Sequence, residues 1–147
     1  MAAHACRISR TVATAVCNLI VDSLDTGSAH ATLVLYTGTM PSTCDTSITS
    51  QTIVAVCTMA KPAYGNAALG TTTADAELAA DAVCASAAGH ANAVTFYRVL
   101  DGDGTAVLQG TCSATAGDDL VLNAAIILPS STVTITSLIV SVPVNQA

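Results

Sequence analysis

The sequence predicts an all-β fold: a jelly-roll-like β-sandwich of about eight short strands with one N-terminal α-helix. Short runs of Val, Ile, Leu, Thr and Tyr recur between turns rich in Gly, Pro, Asp and Ser. Only one segment, near the N-terminus, carries apolar residues at helical spacing. A chain of 147 residues can bury a core without disulfides or metal. We therefore predict a single domain, 1–147, with an N-terminal arm at 1–10, a helix at 11–27 and the β-sandwich at 31–143.

The helix at 11–27 is predicted from an apolar stripe with spacings of one, three and four residues. Ser9 or Thr11 is suited to cap its first turn, and Gly27 stands where the helix should end. We expect the stripe to pack against a sheet and Asp22 and Asp25 to face outward. The stripe consists of Ala13, Val16, Cys17, Ile20, Val21 and Leu24.

The strands are predicted from apolar runs bounded by turn signals. The Asp-Gly-Asp-Gly stretch at 101–104 is typical of a hairpin loop. Segment 71–88 is ambiguous because its alanines favour helix and its threonines favour strand, and we predict a strand at 80–88. In the last run the apolar residues stand at odd positions up to Ile135 and at even positions from Leu138 onward. This shift predicts a β-bulge near 136–137. The predicted strands span 31–38, 52–59, 80–88, 93–100, 105–112, 119–127 and 132–142.

Composition excludes several classes of function. Charged residues make up 10% of the chain, against about 25% in an ordinary soluble domain, which indicates a surface largely covered by neighbours. The net charge of −6, the absence of Trp and the single Phe argue against nucleic-acid binding. The tail 120–147 has no charge, but Pro129 and Pro143 interrupt it, so we expect no membrane span. The positive residues are Arg7, Arg10, Lys61 and Arg98.

The N-terminal segment has some features of a signal peptide. Arg7 and Arg10 precede an apolar run, and the Ala-His-Ala sequence at 29–31 fits a cleavage pattern. However, Asn18 and Asp22 interrupt or follow that run, and cleavage would cut at the start of the first strand. We expect this segment to be retained.

The cysteines are expected to be free, buried thiols, because they are widely spaced along the chain and a domain of this size does not need disulfide bonds to fold. One or more disulfides remains the alternative, since the count is even. The six are Cys6, Cys17, Cys44, Cys57, Cys84 and Cys112.

No pattern in the sequence indicates a catalytic or metal site. Cys44 follows a strand and a turn, but the adjacent Asp45 disfavours a thiolate, so we expect a packing role. Cysteine pairs with zinc spacing are absent. A calcium loop beginning at Asp101 would need Glu at its twelfth position, where Cys112 stands. We therefore predict no catalytic residue, no cofactor and no metal, and a protein that is not an enzyme.

The order of these segments is similar to that of a known family. The segments read TAVCNLIVDSLDTGSA, LVLYTGTMPSTCDT, TIVAVCTMAKPAYG, TFYRVLDGDGTAVLQGTCSATAGDDLVLN and TVTITSLIVSVP. Together they cover nearly the whole chain. They resemble small jelly-roll virion proteins of tailed bacteriophages, and in particular capsid cement (decoration) proteins of a Bordetella phage type.

The resemblance implies a structural virion protein, made in the host bacterial cytoplasm and bound in many copies to the outer capsid surface. There it would stabilise contacts between neighbouring major capsid proteins, and no catalytic residue is carried over. On this basis we predict Arg7 and Arg10 as capsid contacts. We also predict a homodimer from the prevalence of symmetric oligomers.

Three other classes remain open. A tail or head–tail junction component would share the virion location. A secreted β-sandwich module that binds carbohydrate or a host surface would have oxidised cysteines and exposed aromatic residues. A small enzyme with a Cys–His pair would have a thiol that alkylates rapidly at neutral pH.

Overall fold

A computed structural model describes residues 8–144, which form one α-helix, a 3₁₀ turn and ten strands. The helix α1 spans Arg10–Asp22, and the 3₁₀ turn spans Ser23–Asp25. The strands are β1 Thr32–Thr37, β2 Thr52–Thr58, β3 Ala68–Leu69, β4 Thr73–Ala76, β5 Ala82–Cys84, β6 Phe96–Leu100, β7 Ala106–Ser113, β8 Leu120–Val121, β9 Val133–Ile135 and β10 Val140–Pro143.

The strands form two sheets, as the predicted fold class requires. A curled seven-stranded sheet has the order β8-β7-β6-β1-β2-β5-β9, and a smaller sheet has the order β10-β4-β3. All pairs are antiparallel except the parallel pair β7–β8. The protein is therefore mostly β, with a jelly-roll-like β-sandwich and one N-terminal helix, and this prediction is confirmed.

The main core lies between the large sheet, the small sheet and α1. Leu33, Leu35 and Val99 enter it from the large sheet, and Ala74 and Ala76 enter it from the small one. Fully burying a residue of the size of Leu or Val contributes about 1.5–3 kcal/mol, so the layers are held chiefly by apolar packing.

The predicted helix is present with shorter bounds. Ser9 caps it, because its Oγ accepts a hydrogen bond from the Val12 amide at 3.2 Å. The α-helix ends at Asp22 and not at residue 27, because the chain tightens into the 3₁₀ turn and then reaches Gly27 with φ +83°. Four members of the predicted stripe are buried, namely Ala13, Cys17, Val21 and Leu24, but Val16 is exposed.

Three of the predicted strands are wrong in detail. The run 132–142 contains no bulged strand but two strands, β9 and β10, which belong to different sheets. The shift of its apolar residues from odd to even positions therefore marks the place where the chain crosses from one sheet to the other. In 119–127 only Leu120–Val121 is strand, because the loop that follows bonds instead to the segment before β6, including Val94 N to Ala125 O at 2.8 Å. The predicted strand 80–88 is reduced to Ala82–Cys84.

A second, smaller apolar cluster lies on the outer face of the large sheet. Tyr36 of β1 and Phe96 of β6 stack with ring centroids 4.9 Å apart, and Val34 completes the buried set. Ile48, from the loop 38–51, packs against this cluster. The loop therefore covers the middle of the outer face of the large sheet.

We predict that Tyr64→Phe is neutral or stabilises the fold by about 1 kcal/mol, because the Tyr64 hydroxyl is buried and has no hydrogen-bond partner among residues 8–144. The substitution keeps the ring in the core and removes only that hydroxyl. Urea unfolding monitored by circular dichroism would measure the change. A loss of more than about 1 kcal/mol would contradict the prediction, since it would mean that the hydroxyl makes a stabilising bond.

Candidate functional site

The helix α1 carries more apolar surface than its packing uses. Val12, Val16 and Leu19 recur at spacings of four and three, which places them on one side of the helix. Ile8 immediately precedes Ser9, the N-cap of α1, and extends this apolar sequence by one residue. All four are exposed, and Leu19 is 71% exposed. We call these four residues the helix stripe.

The helix stripe lies beside the buried face of α1, on the side away from β3. The other side is occupied: the Asn18 side chain accepts a hydrogen bond from the Ala67 amide at 2.7 Å, next to β3. Arg10 likewise donates through Nη2 to Gly70 O at 3.3 Å. A helix that packs on one face is normally polar on the rest of its surface. The helix stripe departs from that pattern and is the main candidate contact surface.

A second apolar surface lies on the large sheet, outside the area that loop 38–51 covers. Ile53 and Val56 of β2 share the face of Tyr36 and Val34, their partners in the β1–β2 register. Val83 of β5 pairs with Thr58 on the same face. Ile53, Val56 and Val83 are 45%, 43% and 41% exposed. We call these three residues the outer-face patch.

Between loop 38–51 and the turn that joins β6 to β7 lies a solvent-open cavity of about 380 Å³, and the buried cation Arg98 lines it. Arg98 of β6 is only 4% exposed. Its Nε donates to Gln109 Oε1 at 3.1 Å, and its Nη2 donates to the carbonyls of Thr43 at 3.2 Å and Thr46 at 2.7 Å. Gln109 in turn donates to Pro41 O at 2.9 Å. Arg98 and Gln109 therefore hold the loop against the sheet.

Of the two predicted capsid contacts, Arg7 and Arg10, the structure describes only Arg10. Arg7 lies outside the described residues. Arg10 is exposed as the first residue of α1 and bonds Gly70 O, so it is available at the surface but already has one intramolecular partner. Sequence reasoning missed Arg98, although one signal was present: a single cation inside the otherwise apolar strand sequence FYRVL.

The Asp-Gly-Asp-Gly stretch forms the predicted hairpin between β6 and β7. Asp101 Oδ1 accepts from the amides of Asp103 at 3.0 Å and Thr105 at 2.8 Å. The Asp101 carboxylate is thus used to close the turn.

Cys44 lies in loop 38–51, half-buried, and lines the Arg98 cavity. Burial raises the pKa of the Cys44 thiol, Arg98 opposes this shift, and Asp45 adds to it. Cys17, Cys57, Cys84 and Cys112 are buried free thiols, as expected, whereas Cys44 is free but only half-buried. Cys6 lies outside the described residues.

We predict that iodoacetamide at neutral pH labels Cys44 of the folded protein more slowly than the same residue in the urea-unfolded chain. Its raised pKa disfavours the reactive thiolate. Cys57 and Cys112 should react later still, because burial raises the pKa of each to about 12. Peptide mass mapping over time would measure all three rates. Faster labelling of Cys44 in the folded protein would contradict this prediction and favour a reactive thiol.

No three His, Cys, Asp or Glu side chains among residues 8–144 are grouped so that they could hold a metal ion. The helix that the structure describes is too short to cross a bilayer.

Comparison of the chain with protein-family models, with curated proteins and with solved structures gives no significant match.

Proposed function

We propose that this chain is a structural virion protein that binds the outside of a tailed-phage capsid shell and stabilises contacts between major capsid proteins. The observation that carries the proposal is the helix stripe, a line of large apolar side chains left uncovered on a helix whose other face is packed. Contiguous exposed apolar surface is typical of protein–protein contact sites.

The energetics favour such a contact. Burial of a Val or Leu side chain contributes up to about 1.5–3 kcal/mol, so a partner that covers the helix stripe gains several kcal/mol before the loss of rotational and translational freedom. The chain itself gains little solubility from charge, with 10% charged residues. The net charge of −6 disfavours a position facing packaged DNA, which supports the outer surface.

The direct test is binding of the purified chain to capsid shells that lack it. Leu19→Gln should weaken binding at least tenfold, because it removes the most exposed side chain of the helix stripe and keeps a good helix former. Leu128→Gln is the matched control, since Leu128 is 68% exposed but lies in a loop far along the chain from α1. Co-sedimentation with shells would measure both affinities.

The outcomes separate the classes of function. Binding that Leu19→Gln reduces and Leu128→Gln leaves unchanged supports the proposal, as does a rise in the melting temperature of the decorated shells. Failure of the unmodified chain to bind shells would overturn it. Binding to isolated tails alone would favour the tail or head–tail junction class.

A further inference from the structure

We propose that the cavity beneath loop 38–51 is a carboxylate-binding site in which Arg98 holds the anion. This inference does not depend on the proposed function, because it concerns a buried charge on the large sheet and not the helix stripe.

The first argument is the incomplete pairing of Arg98. Its recorded partners are all neutral: the Gln109 side chain and two loop carbonyls, reached through Nε and Nη2. Among residues 8–144, Nη1 has no hydrogen-bond partner but is not fully enclosed, so this donor faces the solvent-open side of the cavity. No carboxylate in that part of the chain forms an ion pair with Arg98. A guanidinium has five N–H donors and stays charged at all physiological pH values, so donors remain for a ligand.

The second argument is the energetics of a buried charge. A charged group removed from water is strongly unfavourable unless an opposite charge and further hydrogen bonds compensate it. Neutral carbonyls compensate Arg98 only in part. An anion in the cavity would supply the missing charge, and charge-assisted bonds between guanidinium and carboxylate are among the strongest hydrogen bonds in proteins.

The third argument is the lining of the cavity. Thr46, Ser47 and Thr105 contribute hydroxyl-bearing residues, and Gly104 adds no side chain that could fill the space. A volume of about 380 Å³ accommodates a small anion with ordered water. The site thus combines one fixed cation with neutral hydrogen-bonding groups, the arrangement expected for a small polar ligand.

The charge of the lining selects the ligand. Asp45 also lines the cavity and is exposed at its rim, so it repels anions of higher charge. One cation and one rim carboxylate favour a monoanion over a phosphate dianion. The carboxylate could come from a free small organic acid or from an Asp or Glu side chain of a protein bound to this surface.

Two readouts test binding in the full-length chain: the melting temperature and the rate of Cys44 alkylation. Cys44 lines the same cavity, so a bound carboxylate should slow its labelling by iodoacetamide at least threefold. The probes are sodium acetate and sodium phosphate at matched ionic strength. Acetate should raise the melting temperature and slow Cys44 labelling, and phosphate should do neither at the same concentration. Equal effects of phosphate, or no effect of acetate, would overturn the proposal.

Two variants make the test independent of whether Arg98 itself can be replaced without unfolding. Asp45→Asn removes the rim charge from an exposed position and should lower the acetate concentration for half-maximal effect at least threefold. Ser47→Ala, also at an exposed position, should raise that concentration. If neither variant changes the acetate dependence, the anion does not bind in this cavity and the proposal fails.

A last arm distinguishes the two sources of carboxylate. A short capped peptide with one glutamate is compared with the same peptide carrying glutamine. Protection of Cys44 by the glutamate peptide alone would identify a protein side chain as the ligand. Protection by acetate with no effect of either peptide would identify a free small carboxylate. Equal protection by both peptides would overturn carboxylate recognition.

Discussion

Replacing Gly89 by alanine should destabilise the fold by about 3–5 kcal/mol, from backbone strain and steric overlap together. Gly89 has φ +69°, a conformation that residues with a Cβ rarely adopt. A Cβ at this position would overlap the Pro129 nitrogen and lie 2.5 Å from the Leu128 carbonyl carbon. The overlapped atoms are backbone, so the loop itself would have to move. Because 1 kcal/mol corresponds to about 2–4 °C for a chain of this size, the melting temperature should fall by about 6–20 °C.

The large effect is expected because Gly89 lies between β2 and the loop at 127–129. Its amide donates to Val54 O of β2 at 2.9 Å, and the next amide, of His90, donates to Ile127 O at 2.9 Å. The close approach of this segment to the loop at 127–129 is therefore fixed by bonds on both sides. Moving the loop away from a Cβ would weaken one of them.

Gly104→Ala is the matched control. Gly104 also has a positive φ, of +85°, but a Cβ there would meet nothing within 4 Å. The Gly104→Ala variant should lose only about 1 kcal/mol of unfolding free energy, from the backbone strain of a positive φ. Thermal unfolding of both variants by circular dichroism separates strain from overlap. Equal losses at the two positions would show that steric overlap at Gly89 contributes nothing.

The order of the main elements could be predicted from the sequence because their patterns are local. Three kinds of pattern depend only on near neighbours along the chain. They are the N-cap and apolar spacing of α1, the apolar runs of β1, β2 and β6, and the Asp-Gly-Asp-Gly hairpin. Such patterns reflect helix capping, alternation and turn preference, which act within a few residues. The predicted helix is longer than α1 because the apolar spacing continues to Leu24, and this spacing does not distinguish an α-helical turn from the 3₁₀ turn that follows α1.

The remaining features depend on pairing between distant segments. β3 and β4 are short, and their sequences AL and TADA carry little strand signal. They form because β4 pairs with β3 on one side and β10 on the other, and both strands contact α1. The sequence predicts a bulge between β9 and β10 because a bulge and a crossing between sheets shift the apolar residues from odd to even positions in the same way. Sheet assignment therefore required tertiary structure.

The candidate sites illustrate the same limit. The apolar residues of the helix stripe are visible in the sequence, but which of them the sheet covers is not. The spacing predicts Val16 on the buried face, but the buried residues of α1 are Ala13, Cys17 and Val21, and Val16 is exposed. In the sequence, Arg98 is one of four scattered cations. Its burial follows from loop 38–51, whose path over the sheet has no periodic signal.

Replacing Phe96 by alanine should destabilise the protein by about 3–5 kcal/mol and open loop 38–51. Phe96 is fully buried and stacks on Tyr36 with an interplanar angle of 8°. The pair forms the floor on which Ile48 of the loop packs. Loss of the ring would leave a cavity under the loop, so the loop should separate from the sheet more often than the rest of the fold unfolds.

Two measurements check this separately. Urea unfolding should show the loss of global stability, and alkylation of Cys44 in the folded state should accelerate, because Cys44 is carried by the loop that Phe96 supports. Phe96→Leu is the control: it fills most of the volume and should lose less stability and protect Cys44 better than Phe96→Ala. If Phe96→Ala unfolds earlier in urea while Cys44 labelling under native conditions stays unchanged, the loop is held by Arg98 and Gln109 alone. In that case the stacked pair stabilises the sheet without supporting the cavity above it.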